Sequence, residues 1–376
     1  MTDLLVSRPD IPPLTVPPRL LLGPGPSLVD PRVLQAMGTP LLGHLDPQFV
    51  EIMDRTQVML RYAFQTRNPI TIPVSGTGTA AMEAAVANMV EPGDSVLVCV
   101  SGYFGLRIAD MARRYGGDVE VINRPWGQVF SPEEVKQALD RRPAKIVAIV
   151  HAETSTGVCQ PLEEIVRIVH AQGGLIIVDA VTSLGGVPLK VDEWGIDVCY
   201  SGSQKCLSCP PGISPITFNS TAIQKLEARK TQVTNWYLDL SGVGKYWGKE
   251  RTYHHTAPIS MVYALYEALQ IVLEEGLEAR WQRHRTNAAL LWSGLEAMGW
   301  ELHVPLEYRL PSLTTPRVPA GVDEVLLRQR LLKEYNIEIS GGLGELKGKV
   351  LRIGLMGYSS RPENVLLLLA AIQKVS

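Results

Sequence analysis

Between residues 70 and 220 the chain repeats one pattern, in which a short aliphatic run is followed by a stretch of helical character and then by another aliphatic run. Residues 95–100, 145–150, 175–178 and the shorter 216–218 are strand-like, and most are rich in Val and Ile, as parallel strands covered on both faces are. Between them Ser131, Pro132, Glu133 and Glu134 supply an N-cap, a proline for the first helical position and a capping-box acid ahead of 135–139. A second helix is expected after Pro161, ending at Gly173 and Gly174. This alternation specifies an open α/β sheet, whose ligands sit beyond the carboxyl ends of the strands.

The pattern changes after about residue 258. Long helical stretches at 260–276 and 277–299 precede a strand at 312–316, a helix at 322–335, strands at 337–340 and 350–353, and a final helix after Pro362. That is a mixed α+β unit with its own core. A chain of 376 residues is longer than the ~300 at which single cores usually divide. The expected organisation is therefore a proline-rich extended arm over 1–25, a large domain over 26–258 and a smaller one over 259–376.

A formal charge of −2 offers no basic stripe to nucleic acid and no polybasic segment to a membrane surface. No apolar stretch approaches the ~20 residues of a membrane span, and the opening lacks a charged-then-apolar leader pattern. Small-molecule ligands and a cytoplasmic setting are expected. The cysteine count of 5 is odd and fits a reducing compartment. Cys206 and Cys209 form a CxxC with no second Cys or His pair at zinc spacing, so no metal is expected.

Ser75-Gly76-Thr77-Gly78-Thr79 follows the mostly apolar 70–74 and opens an Ala-rich helix over 80–90. Glycines permit close backbone approach, and a helix N-terminus offers free N–H groups to a phosphate. The letters also satisfy the G-x-G-x-x-A dinucleotide fingerprint, which needs an acidic residue ending the next strand to hold a ribose. Here Asp94 precedes that strand, so a single phosphate fits better. A glycine turn without a ligand stays open on this motif alone.

The run 175–178 ends in Asp179, and a buried strand end is a costly place for an unpaired carboxylate. A turn or helix cap is the plainer reading. Lys205, however, follows about one β-α-β step later, after a short strand at 198–200 and the polar loop 201–204, which puts both charges at one sheet edge. An amine able to bond an aldehyde, and a carboxylate able to keep a pyridine nitrogen protonated, are the two groups that pyridoxal 5'-phosphate (PLP) chemistry requires. Arg352 lies in the apolar run 350–353, where a lone guanidinium is expensive. Either a structural ion pair or a bidentate substrate carboxylate would satisfy it.

Ser201-Gly202-Ser203-Gln204-Lys205 followed by Pro210-Pro211-Gly212, with Val178-Asp179-Ala180-Val181-Thr182-Ser183-Leu184-Gly185-Gly186 before it, resembles the alanine-glyoxylate group of class V aminotransferases, PLP enzymes of fold type I. The likeness runs from Leu22-Gly23-Pro24-Gly25-Pro26 through His151-Ala152-Glu153-Thr154 and Tyr253-His254-His255-Thr256 to Leu351-Arg352-Ile353-Gly354, nearly the whole chain. It implies a large domain on a mostly parallel seven-stranded sheet plus a smaller C-terminal α+β domain. It also implies a PLP-dependent aminotransferase moving the amino group of L-alanine to glyoxylate in ping-pong half-reactions, with serine-glyoxylate or serine-pyruvate transfer as the alternative. Cysteine desulfurases of the same class need a reactive Cys on a mobile loop and usually show His where Gln204 stands.

The resemblance also assigns roles. Thr77, Gly78, Thr79 and Gln204 would hold the cofactor phosphate, Phe104 would stack on the ring, Thr154 would meet the ring hydroxyl and Asp179 the ring nitrogen. Many relatives carry His at the position of Thr79, so backbone contact is the firmer expectation there. Val181 would complete the cofactor contacts, and Lys205 would bind the cofactor covalently and carry the proton. Arg352 and the turn at Gly25 would take the substrate carboxylate. Tyr253 and Thr256 would reach the cofactor of a neighbouring subunit, implying a homodimer with shared sites.

Overall fold

The computed structural model describes residues 8–375; residues 1–7 of the expected arm and Ser376 of the expected C-terminal domain lie outside the described residues. A seven-stranded sheet organises the chain. Its strands are β1 (Ile70–Ser75), β2 (Ser95–Val100), β3 (Asp118–Asn123), β4 (Ile146–Val150), β5 (Leu175–Asp179), β6 (Val198–Tyr200) and β7 (Ile213–Phe218). In space they run β1-β7-β6-β5-β4-β2-β3. Every pairing is parallel except those of β7, which is antiparallel to both neighbours. The α/β sheet expected from the sequence is the one observed.

The strands legible in the sequence are aliphatic runs buried wholly or nearly so, such as β4 throughout and β5 in all but Leu175. The pattern in β3 was hidden because Asp118, Glu120 and Asn123 interrupt it. It is the edge strand, bonded only to β2, and its acids pair outward with Arg142 and Arg141. The first half of β7 was hidden by Pro215, a residue that removes a ladder donor. Pro215 stands opposite Pro73 of β1, and its carbonyl accepts from the Ser201 N–H at 2.8 Å, so the donor it lacks would have faced the β6 side. The helix Pro132–Arg141 begins with the expected capping box, in which Ser131 Oγ accepts from the Glu134 N–H at 3.3 Å and Glu134 accepts from the Ser131 N–H at 2.8 Å.

Two large apolar clusters divide the interior. The first surrounds the sheet, with Val98, Ile149, Val178 and Phe218, and takes in Val262, Leu265 and Leu269 of the helix Ile259–Glu275. The second gathers Leu291, Leu327, Leu351, Ile353 and Leu368. The helix Leu277–Ala297 gives Leu277 and Trp281 to the first cluster and Leu291 and Leu295 to the second. The packing therefore changes over inside this helix, well beyond residue 258.

The strand expected over 312–316 is confined to Leu313–Thr314, and the one expected over 337–340 splits. Ile337–Glu338 pairs in parallel with Leu20–Leu21, tying the N-terminal segment to the second cluster, while Ser340–Gly341 pairs with Leu351–Gly354. Replacing Ser131 with Ala should lower stability by about 1 kcal/mol through loss of the cap. This is measurable as an earlier midpoint in urea, with turnover unchanged because Ser131 does not line the cavity that Asp179 and Lys205 share.

Candidate active site

Strand β5 delivers Asp179 to the carboxyl edge of the sheet. Its Oδ1 accepts from the Val181 N–H at 2.9 Å, and its Oδ2 accepts from the Tyr200 hydroxyl at 3.0 Å. Tyr200 stands directly across from it on β6, so the parallel register itself aims the hydroxyl. Asp179 is buried, and burial pushes its carboxyl up to about 7 even though both hydrogen bonds oppose the shift.

Lys205 follows β6 through a loop held at several points. Ser201 Oγ donates to the Ala180 carbonyl at 2.9 Å, and the Ser201 N–H donates to the Pro215 carbonyl at 2.8 Å. The N-terminal segment closes over the same loop: the Ser27 N–H bonds the Gln204 carbonyl at 2.9 Å, and Ser27 Oγ bonds the Lys205 carbonyl at 2.8 Å. Lys205 Nζ donates to the Pro24 carbonyl. A Cβ on Gly25 would lie 2.7 Å from Lys205 Cδ, and Gly25 has φ +108°, so only glycine fits there. Burial, with Arg352 nearby, lowers the amine to about 8.

Helix α1 (Gly78–Met89) starts hard against these loops, since a Cβ on Gly78 would lie 3.3 Å from Val181 Cγ2 and 3.6 Å from Gly202 Cα. Thr77 is its N-cap, is exposed and makes no side-chain cap bond. Helix α2 (Tyr103–Arg114) brings Phe104 and, one turn on, Arg107. The Arg107 guanidinium donates to Thr79 Oγ1 at 3.0 Å and lies 5.0 Å from the Phe104 ring. The sequence reading missed Arg107; its three-residue spacing from Phe104 on a helix was the available signal.

Glu153 was also missed. Its buried carboxylate accepts from the Phe104 N–H at 3.1 Å, the Ser155 N–H at 3.0 Å and Ser155 Oγ at 2.5 Å, and so caps α2, whose own N-cap is Gly102. Burial raises the Glu153 carboxyl. Arg352, on Leu351–Gly354, donates through Nε to the Gly341 carbonyl at 2.8 Å and through Nη1 to the Thr154 carbonyl at 3.4 Å. Burial lowers its guanidinium to about 10, and Glu153 opposes that shift. Among the described residues no carboxylate forms an ion pair with Arg352, which removes the structural pair considered from sequence.

Gly78, Thr79, Phe104, Arg107, Thr154, Asp179, Val181, Gln204 and Lys205 line one cavity of about 190 Å³. A cavity of about 990 Å³ lies on the other side of the same segment: His151 and Cys159 face it, while Val150, Ala152 and Thr154 face the smaller one. The larger space has no lysine in its wall, and the amine and carboxylate meet only in the smaller. Tyr253 and Thr256 line neither. Tyr253 is 55% exposed, with its hydroxyl 3.4 Å from Thr256 Oγ1. Among the described residues no three metal-ligating side chains converge, and His255 instead bonds Ser75 Oγ at 2.8 Å.

The model of the family described as aminotransferase class V matches residues 20–365. A crystal structure of alanine-glyoxylate aminotransferase from Nostoc sp. superposes with a TM-score of 0.96 at 58% identity, over 97% of each chain. That of ureidoglycine-glyoxylate aminotransferase from Bacillus subtilis gives 0.95 at 45% identity, over 96% of this chain and 94% of that one. Alanine-glyoxylate aminotransferase of Rattus norvegicus is 45% identical over 96% of this chain and 89% of its own. The chain belongs to the class V aminotransferases, enzymes that work through PLP.

The residues present suit that cofactor. Gln204 Oε1 is buried without a hydrogen-bond partner, and turning the amide over would present its NH2 to an anion beside the α1 N-terminus and Arg107. The ring hydroxyl and ring nitrogen have Thr154 and Asp179 as available partners in the same wall. Among the described residues no helix is long and apolar enough to cross a membrane.

The raised carboxyl of Asp179 has a consequence for stability. Its folded value of about 7 lies above the ordinary 3.8, so the folded state holds this proton more tightly than the unfolded chain does. The group's stabilisation is complete below 3.8 and is lost as pH rises through 7. Asp179→Asn should therefore raise the stability of cofactor-free protein at pH 8 by on the order of 1–4 kcal/mol. Thermal melts should show the gap over wild type closing as pH falls towards 4.

Proposed function

We propose that the enzyme transfers the amino group of L-alanine to glyoxylate, giving pyruvate and glycine, with Lys205, Asp179 and Arg352 carrying the reaction. One observation carries the reading: a buried amine and a buried carboxylate face a single small cavity, and a buried guanidinium with no carboxylate ion pair among the described residues lies beside them. The names of the relatives favour glyoxylate as acceptor.

When bound, PLP supplies an aldehyde for the amine and a protonated ring that accepts electron density. Lys205, lowered to about 8, is partly neutral at physiological pH. It can therefore act as the nucleophile towards the cofactor, and afterwards take and return the proton at the substrate Cα. Asp179 would hold a proton on the ring nitrogen by its negative charge, and the cation gained there would offset the burial that otherwise raises its own carboxyl. The N–H groups of Gly78 and Thr79, the Arg107 guanidinium and the Gln204 amide would hold the phosphate, and Phe104 and Val181 would pack against the ring.

Arg352 binds the α-carboxylate of each substrate in turn; its two carbonyl bonds fix the plane of the guanidinium and leave its other terminal nitrogen for the ligand. The Gly25 turn crowds Lys205, which favours small donors. Donor and acceptor then use the same groups in succession, so the kinetics are ping-pong.

The exposed Tyr253 and Thr256 reach, in this proposal, the phosphate of a neighbouring subunit's cofactor in a homodimer. Exposed Tyr103 and Leu106 on α2 and exposed Trp236 support such an interface. The separate apolar clusters support a division into an N-terminal arm, a large sheet domain and a smaller C-terminal α+β domain.

With glyoxylate held constant, L-alanine should outpace L-serine and (S)-ureidoglycine in glycine formation. The last is included because of the Bacillus subtilis relative, 43% identical over 96% of this chain. If either rival donor is faster, the donor assignment is wrong; if none yields glycine, glyoxylate transfer is excluded. Arg352→Lys should raise KM for L-alanine and for glyoxylate by roughly 10–100-fold through loss of a charge-assisted contact from a guanidinium held in a fixed plane. Equal KM values in variant and wild type would place the carboxylate elsewhere.

A further inference from the structure

The three chemistry-bearing groups lie on segments far apart in sequence, yet all are tied to one stretch around residues 275–284. Arg280, buried in the first turn of Leu277–Ala297, donates through Nε to the Gly185 carbonyl at 3.1 Å and through Nη2 to the Cys206 carbonyl at 2.6 Å. Gly185 belongs to the loop that leaves Asp179, and Cys206 is the neighbour of Lys205. The third guanidinium nitrogen, Nη1, meets Glu275 Oε2 at 2.6 Å.

Glu275 is shared with Arg283, whose Nη2 lies 2.9 Å from the same oxygen. Arg283 Nη1 holds the carbonyls of Gly357 at 2.9 Å and Ser360 at 2.6 Å, in the segment that follows Arg352. His284 completes the tie, accepting from the Gly357 N–H through Nε2 at 2.9 Å and donating through Nδ1 to the Arg280 carbonyl at 2.8 Å. This fixes one neutral tautomer, in keeping with a ring that burial and the neighbouring arginines lower to about 3. A Cβ on Gly357 would lie 2.6 Å from the Cys206 carbonyl oxygen, so the segments have no slack between them.

A buried guanidinium is a costly way merely to anchor a helix. A planar donor fork can, however, hold carbonyls of separate loops at a fixed spacing, which an ammonium does not do. We propose that Arg280 is a positioning residue, gripping the Gly185 and Cys206 carbonyls so that Lys205 is set against Asp179, while Glu275, Arg283 and His284 extend the same clamp to the segment after Arg352. The proposal rests on the roles given above to Lys205 and Asp179.

Arg280→Lys keeps the charge towards Glu275 but loses the fork. Three readouts are taken: the pH midpoint of PLP uptake by cofactor-free protein, followed by visible absorbance; kcat and KM for L-alanine; and the thermal midpoint. Arg280→Lys should move the uptake midpoint by about half a unit or more and lower kcat roughly 10–100-fold with KM little changed. Arg283→Lys disturbs the same cluster without touching either loop, so it should lower the thermal midpoint and leave the uptake midpoint where it was.

An Arg280→Lys protein with wild-type uptake midpoint and kcat overturns the proposal whatever its thermal midpoint. So does an Arg283→Lys protein with the same uptake shift. Should Arg280→Lys not fold, Glu275→Gln, which removes the counter-charge and keeps the fork, is read instead. A smaller shift in the same direction supports the clamp, and no shift overturns it. If wild-type protein takes up no PLP, or Lys205→Ala takes it up with the same visible band, the assignment of Lys205 fails rather than the clamp.

Discussion

Everything at this site follows from holding an amine, a guanidinium and two carboxylates in a space with little water. Burial disfavours the charged form of each, and the rigid edge of a parallel sheet keeps them from relaxing away. Lys205 is more readily neutral, Asp179 binds a proton more tightly, and Arg352 is a guanidinium with no carboxylate ion pair among the described residues. Backbone geometry arranges these shifts: the register of β5 with β6 gives Asp179 its tyrosine, and the N-terminal segment gives Lys205 a carbonyl and a lid. Such prearranged polarity costs the cofactor-free fold stability and spares the reaction reorganisation.

Glu153 joins two parts of that arrangement. It caps the helix presenting Phe104, and its charge opposes the lowering of Arg352. The orientation of the aromatic ring and the ionisation of the Arg352 guanidinium thus share one residue. A carboxylate at a helix N-terminus is already in a favourable field, so a buried charge is retained there at lower cost than at a buried position without a helix end beside it.

The fold and the central pair were readable from sequence because both depend on local order. Wholly buried strands are aliphatic runs, and a run ending in Asp179 one step before a polar loop ending in Lys205 fixes both charges at one edge. The rest depends on contacts that no local pattern carries. Edge strand β3 alternates polar and apolar residues, and Pro215 interrupts β7. Glu153 and Arg280 are ordinary charged residues until the chain brings Phe104 to the one and Cys206 to the other. Thr77, prominent in its motif, turns out to be an exposed cap, with Gly78 and Thr79 at the cavity instead.

The reversed strand β7 also governs when the site can exist. Within the sheet β1 is bonded only to β7, so the turn at Ser75–Thr79 and the loop at Gln204–Lys205 are brought side by side by a strand made after both. During synthesis the Ser75–Thr79 turn therefore emerges long before 213–218, the strand that seats it beside Lys205. Such long-range closure makes folding slow, and it confines the cavity that Thr79 and Lys205 line together to chains whose sheet is already complete.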